Sequence, residues 1–390
     1  MEKLKRYIHY AGCTLRYVLA LFMGLFARFT PPYRDLWLIA ERGNDARDNG
    51  LHLFRYLTQK HPEINAAYVI NRQSPDYSRV SGLGRVILHG SFAHYLAFAC
   101  AKAKIGTHIM GYAPNIYLFT KLDEHRLAPG KKFFIQHGII LNDIPALYYP
   151  RVRLDMFVCG AKPEFDDISS RYGYPQGVVR LLGLCRYDRL LEPHAEKRQI
   201  LMMPTWRAYL KDCRDAEAFR KSDYFQAFNG LLLHPELHRL LDAYGYDLVF
   251  YLHQEMQRFT PLFTSAHPRV KIGDLASHDV QQLLMESKLL ITDYSSVLFD
   301  FAYMQKPLAF FQFDEDDFFS AQYRRGYFSY RADGFGPVCS RVDEVLAFLQ
   351  ARLEDGMQLP EIYRARVEQF FTVRNTDNCA RTVDAIRASL

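Results

Sequence analysis

Leu290-Ile291-Thr292-Asp293-Tyr294-Ser295-Ser296 is the stretch from which the fold of this 390-residue chain is read. An apolar run ends at Thr292, and Val297, Leu298, Phe299 and Phe301 follow Ser296 at helical spacing. That pattern is a buried strand turning into a helix, with Ser295 or Ser296 as its N-cap. A helix start of this kind offers unpaired backbone N–H groups and a positive dipole end, which together suit a phosphate. By capping chemistry alone the same residues are an ordinary strand-to-helix turn, so the stretch needs support from elsewhere in the chain.

Working outward, the same alternation of short apolar runs and amphipathic stretches repeats from Pro32 onward, as in α/β proteins with parallel sheets. The pattern predicts strands at Leu36–Ala40, Ala66–Ile70, Arg85–Leu88, Lys104–Gly106, Phe133–Gln136, Met156–Cys159 and Val179–Leu182. Helices at Ala46–Gln59, Phe92–Ala103 and Pro163–Tyr172 lie between them. A second series has strands at Ile200–Met203, Leu248–Leu252, Val270–Ile272, Leu289–Thr292 and Leu308–Phe311, with helices at Tyr224–Ala243, Asp279–Glu286 and Val297–Met304. The expected architecture is two doubly wound, Rossmann-like domains facing a cleft. A segment at 1–34 precedes domains at 35–192 and 193–342, and helices fill 343–390. In such sheets ligands sit beyond the carboxyl ends of the strands. Neither a Walker A motif nor a dinucleotide GxGxxG fingerprint is present.

Composition excludes several classes. Hydrophobic residues make up 49% and charged residues 24%, which rules out disordered and fibrous chains. The net charge of +6 is concentrated in residues 1–34, where Lys3, Lys5, Arg6, Arg16, Arg28 and Arg34 outweigh Glu2. The remaining body is nearly neutral, so a nucleic-acid partner is not expected. Seven scattered cysteines show no zinc or disulfide spacing and indicate a reducing compartment. No stretch reaches 18 uncharged apolar residues, because Arg16 interrupts the first one, and a conventional membrane span is therefore not expected. A basic, aromatic helix over 3–29 suits the headgroup layer of a membrane; a helix packed on the protein's own surface and a cleaved signal peptide are the alternatives.

Chemistry-bearing side chains gather at four expected strand ends. His137 follows Phe133-Phe134-Ile135-Gln136 and precedes Gly138; an imidazole with an ordinary pKa of about 6.5 suits a general base there. His253 repeats the placement after Leu248–Leu252. Met203-Pro204-Thr205-Trp206-Arg207 ends a strand with a hydroxyl and a guanidinium, and Arg207 suits either a bidentate grip on phosphate or a pair with a nearby acid. No carboxylate cluster suited to a metal accompanies them. The assortment fits transfer from a phosphorylated donor with neither a cofactor nor a protein metal cage.

Several blocks resemble the CDP-glycerol glycerophosphotransferase family, the teichoic-acid-type polymerases and primases. They are Gln136-His137-Gly138, Gly183-Leu184-Cys185-Arg186-Tyr187-Asp188, Met203–Arg207, and Thr292–Ser296 continuing through Phe299-Asp300-Phe301 to Lys306-Pro307. Trp37–Arg42 with Ala46-Arg47-Asp48-Asn49-Gly50, and the closing Asn375–Arg381, are similar to further parts of it. The resemblance implies a GT-B fold and a CDP-glycerol or other CDP-alditol donor. It also implies a lipid-linked or polymeric glycan acceptor at the cytoplasmic membrane surface. It makes His137 and His253 the candidate catalytic residues. Candidate substrate-binding positions are Gly138, Arg186, Thr205, Arg207, Thr292, Asp293, Ser295 and Ser296, with Asp293 to Ser296 on the pyrophosphate. His253-Gln254 stands where the family usually has His-Pro, and Ile139 to Asn142 replace its Thr-x-x-Lys. The rival enzyme reading is a GT-B glycosyltransferase using a nucleotide sugar; a non-catalytic binding module of a polysaccharide assembly complex is the rival from another class.

Overall fold

The computed structural model describes residues 2–390 apart from Ala266, Ala276 and Tyr323. The side chains of Glu2, Lys3, Leu4 and Arg6 also lie outside the described residues, so three of the charges counted above have no described position. The chain forms two compact units. The first comprises Met1–Ile139, Ile144–Arg189 and Val373–Leu390, and the second Ile140–Asp143 with Leu190–Thr372.

In the first unit seven parallel strands form one sheet. They are β1 (Trp37–Ala40), β2 (Ala66–Ile70), β3 (Val86–Leu88), β4 (Ala103–Gly106), β5 (Lys131–Phe134), β6 (Met156–Cys159) and β7 (Val179–Leu181), in the order β3-β2-β1-β4-β5-β6-β7. Residues 37–40 are all buried, as expected for a central parallel strand covered on both faces. One face packs on the helix Asn49–Lys60 through Leu53, Phe54 and Leu57, and on the last helix, Asn378–Ser389, through Cys379, Val383 and Ile386. The other face packs on the helix Phe92–Cys100.

The helix Glu2–Ala27 lies along Phe92–Cys100 with a single stripe, Cys13, Tyr17, Ala20 and Gly24, turned inward. Gly24 permits the close approach, since a Cβ there would stand 3.3 Å from the Cys100 sulfur. The Tyr17 hydroxyl donates to the Leu127 carbonyl at 2.6 Å and fixes the register. Leu15, Phe22 and Phe26 on the opposite side are 71%, 63% and 70% exposed. Tyr7–Ala27 is also long and apolar enough, by length and composition, to cross a bilayer. Stopping the apolar run at Arg16 misses this, because one arginine among twenty-one residues leaves the average apolar.

The second unit has its own sheet of β8 (Gln199–Met202), β9 (Asp247–Tyr251), β10 (Val270–Gly273), β11 (Leu289–Thr292), β12 (Leu308–Phe311) and β13 (Val338–Cys339). Its order, β10-β9-β8-β11-β12-β13, repeats the 3-2-1-4-5-6 winding of the first sheet. Both sheets are parallel throughout. The expected helix Tyr224–Ala243 is instead two helices, Asp223–Leu232 and Pro235–Tyr244. Pro235 has no N–H for a continuing helix but suits a first turn, and the His234 ring caps that turn from the Glu236 N–H. The two-residue strand β13 is too short to show in sequence periodicity, as is the helix Tyr77–Ser81.

Candidate active site

In each sheet the winding reverses between the first and fourth strands, which is where doubly wound folds place their ligands. In the first unit that point lies between β1 and β4, with β5 next to β4. The ends of these strands carry Glu41 and Arg42, Thr107 and His108, and Gln136 and His137. His137 is exposed, and its ring stacks on His108 with centroids 4.7 Å apart and planes 18° apart. The Thr107 carbonyl accepts a hydrogen bond from the His137 ring, leaving the other nitrogen to take a proton. Although the residue as a whole is exposed, its ring is crowded by protein atoms. This crowding, then Arg186 and Arg42, pushes its pKa down to about 4. His108 is pushed to about 3 by burial, then by His137 and Arg42. Both rings are therefore neutral at physiological pH.

His137 is aimed outward by its neighbour. Gln136 has φ +55°, the left-handed region, which costs a non-glycine residue about 1–3 kcal/mol. Its side-chain amide donates to the Val158 carbonyl and to Glu164 Oε1 (3.1 Å). Arg186 is buried. Its guanidinium donates to the His137 carbonyl at 2.6 Å and to Asp48 Oδ1 at 2.8 Å. Gly138 is buried beside them. Glu41 fixes the neighbouring loop: its carboxylate accepts the Arg47, Asp48 and Leu51 N–H groups at 2.9–3.1 Å. Burial and then Asp48 push its pKa up to about 7, against those three bonds.

In the second unit the reversal lies between β8 and β11, whose ends carry Thr205 with Arg207 and Thr292 to Ser296. Asp293 is fully buried and ties them together. Its Oδ1 accepts the Thr205 N–H at 2.8 Å and the Tyr294 N–H at 2.6 Å. The Thr292 hydroxyl donates to the Met203 carbonyl at 2.7 Å, across the same gap. Of the two partners open to Arg207, the structure shows nearby acids. Arg207 is wholly buried, donates to Asp293 Oδ2 at 2.9 Å, and pairs bidentately with Asp314 at 2.6 and 3.0 Å. The rings of Tyr224, Tyr294 and Phe318 surround its guanidinium at 5.1–5.2 Å. Burial opposes the Arg207 charge, but Asp293 and Asp314 outweigh it, so the group stays protonated. Burial pushes the Asp293 carboxyl up, with Arg207 pulling the other way.

Ser295 is buried and Ser296 half-buried at the start of the helix Val297–Tyr303. Ser296 occupies the N-cap position, yet its hydroxyl makes no capping bond. His253 is half-buried at the end of β9, the strand beside β8, and its Nδ1 accepts the Glu255 N–H at 3.2 Å. The structure thus gathers His137, Gly138 and Arg186 in the first unit, and Thr205, Arg207, Thr292 and Asp293 in the second. Sequence reasoning missed His108, Gln136 and Asp314. The strand-then-histidine pattern that picked out His137 also fits His108, and Asp314 closely follows the strand Leu308–Phe311.

Two sheets wound 3-2-1-4-5-6 within one chain define a GT-B-like fold. Solved structures agree: the wall teichoic acid polymerase TagF superposes with a TM-score of 0.70 at 18% identity, covering 100% of this chain and 98% of that one. A UDP-N-acetylglucosamine 2-epimerase from Listeria monocytogenes, described as putative, gives 0.59 at 12% identity over 91% and 96%. Residues 185–388 match the model of the CDP-glycerol:poly(glycerophosphate) glycerophosphotransferases, and the chain belongs to that family. The minor teichoic acid biosynthesis protein GgaB of Bacillus subtilis is 31% identical over 90% of this chain and 40% of its own length. A teichoic acid poly(glycerol phosphate) polymerase of Staphylococcus epidermidis is 24% identical over 76% and 42%. The chain thus spans about two fifths of the length of these curated relatives.

Proposed function

We propose that this chain transfers glycerol phosphate, or a related alditol phosphate, from a CDP-activated donor to a hydroxyl of a lipid-linked or polymeric cell-surface glycan. The single observation that carries the reading is a neutral, outward-aimed His137 in a chain whose residues 185–388 match the glycerophosphotransferases. The acceptor hydroxyl gives its proton to His137 and its oxygen bonds the phosphorus that bears glycerol. The bond from that phosphorus to the bridging oxygen breaks, and CMP leaves with the electron pair. His253, Ser295, Ser296 and the backbone N–H groups at the start of Val297–Tyr303 are assigned to the donor phosphates, where offsetting developing charge is the main source of acceleration. Arg207, Thr205, Thr292 and Asp293 serve this role by holding the β8 and β11 ends in register. Incubation with CDP-glycerol, CDP-ribitol and UDP-sugars, with and without membranes, tests the reading. CMP release from a CDP-alditol is expected, whereas release of UDP alone would transfer the protein to the glycosyltransferases.

The cytoplasmic membrane surface is the proposed location. The inner stripe of Glu2–Ala27 is occupied by the protein's own helix, while Leu15, Val18, Phe22, Leu25 and Phe26 face outward beside the exposed Arg16 and Arg28. An apolar patch with a basic rim fits an anionic lipid surface. Phe22→Glu with Phe26→Glu removes two large apolar side chains, each contributing about 1.5–3 kcal/mol when buried. Binding to phosphatidylglycerol-containing vesicles should fall by at least about 100-fold, with an unchanged melting temperature. Undiminished sedimentation with vesicles would remove the membrane assignment.

A further inference from the structure

The corner that aims His137 is held by a side chain that no assignment above uses. Asn49 is wholly buried at the first position of the helix Asn49–Lys60. Its Nδ2 donates to the Gln136 carbonyl at 2.8 Å, and its Oδ1 accepts the Arg186 N–H at 2.9 Å. The Arg186 guanidinium returns to the His137 carbonyl at 2.6 Å. The circuit is therefore closed, running from the Gln136 carbonyl through Asn49 and Arg186 to the His137 carbonyl. It encloses the one peptide unit whose first residue, Gln136, stands at φ +55°.

Both amide ends of Asn49 are used, one as donor and one as acceptor, which a carboxylate of the same shape does not reproduce. The loop before it is anchored independently by Glu41, and its N-cap, Asp48, accepts from Arg186 at 2.8 Å. Asn49 therefore sits on a fixed helix start and reaches a strand end 87 residues away in sequence. A non-glycine residue stays in the left-handed region only where its surroundings over-determine it. Here the Gln136 side chain is tied to Val158 and Glu164, and its carbonyl to Asn49.

We infer that Asn49 is a positioning residue for the reaction: by bridging the Gln136 carbonyl and the Arg186 amide, it locks the left-handed corner that presents His137. The inference rests on His137 being the base. Asn49 acts through the corner, and its effect is on where the His137 ring stands. A displacement of about 1 Å in such a group lowers turnover by roughly 100-fold.

The test measures CMP release from CDP-glycerol in the presence of membranes. Asn49→Asp keeps the acceptor for Arg186 and loses the donor to Gln136. It should lower kcat by about 10–100-fold, leave KM for CDP-glycerol within about 3-fold, and retain the wild-type circular dichroism spectrum. Wild-type kcat in the folded variant, or a loss confined to KM, overturns the inference. Gln136→Gly and Gln136→Ala examine the same corner should Asn49→Asp fail to fold. Both lose the glutamine bonds, and they differ in that glycine adopts φ +55° freely. Gln136→Gly should keep the higher kcat, and equal values overturn the locked corner. His137→Ala in the same assay separates the two levels. If it retains turnover, the base assignment fails. If it is inactive while Asn49→Asp is fully active, only the positioning role fails.

Discussion

His137→Ala will release CMP from CDP-glycerol about 10²–10⁴-fold more slowly than the parent protein, with its circular dichroism spectrum and melting temperature little changed. The magnitude is that of a positioned general base. The fold should tolerate the change because the residue is exposed and the corner beneath it is held through backbone carbonyls. A companion pH profile has a definite sign. The proposed base works when neutral, and the His137 pKa is pushed down to about 4 by surrounding protein and by Arg186 and Arg42. The acid limb of kcat/KM should therefore lie near pH 4, with a flat profile from about pH 5 upward, rather than near the ordinary histidine value of about 6.5. Near-normal turnover of folded His137→Ala removes the proposed base, and an acid limb near 6.5 removes the crowded, neutral ring.

Arg207→Met will destabilise the second unit by about 3–5 kcal/mol, because it leaves Asp293 and Asp314 buried without their partner. The loss exceeds that of an exposed ion pair, for which about 0–1 kcal/mol is usual. The same change frees the Asp293 carboxylate that ties β8 to β11, so donor turnover should fall with stability. Neutralising the acids as well, with Asp293→Asn and Asp314→Asn, should recover much of the stability, since no unpaired charge then remains buried. The chain has two tryptophans, Trp37 in the first unit and Trp206 in the second, so a Trp37→Phe background reports the second unit by fluorescence. An unfolding free energy from urea titration of Arg207→Met within about 1 kcal/mol of the parent would show that the buried network contributes little.

The two winding patterns were legible because parallel strands buried on both faces are continuous apolar runs, and those runs survive in the sequence with their ends displaced by one or two residues. Tyr224–Ala243 misled because periodicity persists through Leu233-His234, and Pro235 opens a new helix instead of ending the pattern. His137 was legible as a histidine after a strand. Its aim was not, because Gln136 gives no sign in sequence of taking a glycine-like φ. That conformation is supplied by Asn49, Val158 and Glu164, all remote in the chain.

Arg207 marks the limit most clearly. Sequence places a guanidinium at a strand end near a phosphate-suited turn, and local chemistry leaves both a phosphate and a nearby acid open as its partner. Asp314, 107 residues away, takes that guanidinium first. The amino-acid sequence by itself determined the two doubly wound units, the strand ends that carry chemistry, and the basic, apolar N-terminal helix, because each is written in local periodicity and charge. The tertiary structure alone decided that His137 stays exposed at its strand end while Arg207 and Asp293 are buried against partners, and it returned the last helix to the first unit. Those outcomes depend on partners tens to hundreds of residues apart, and no local pattern encodes which partner arrives.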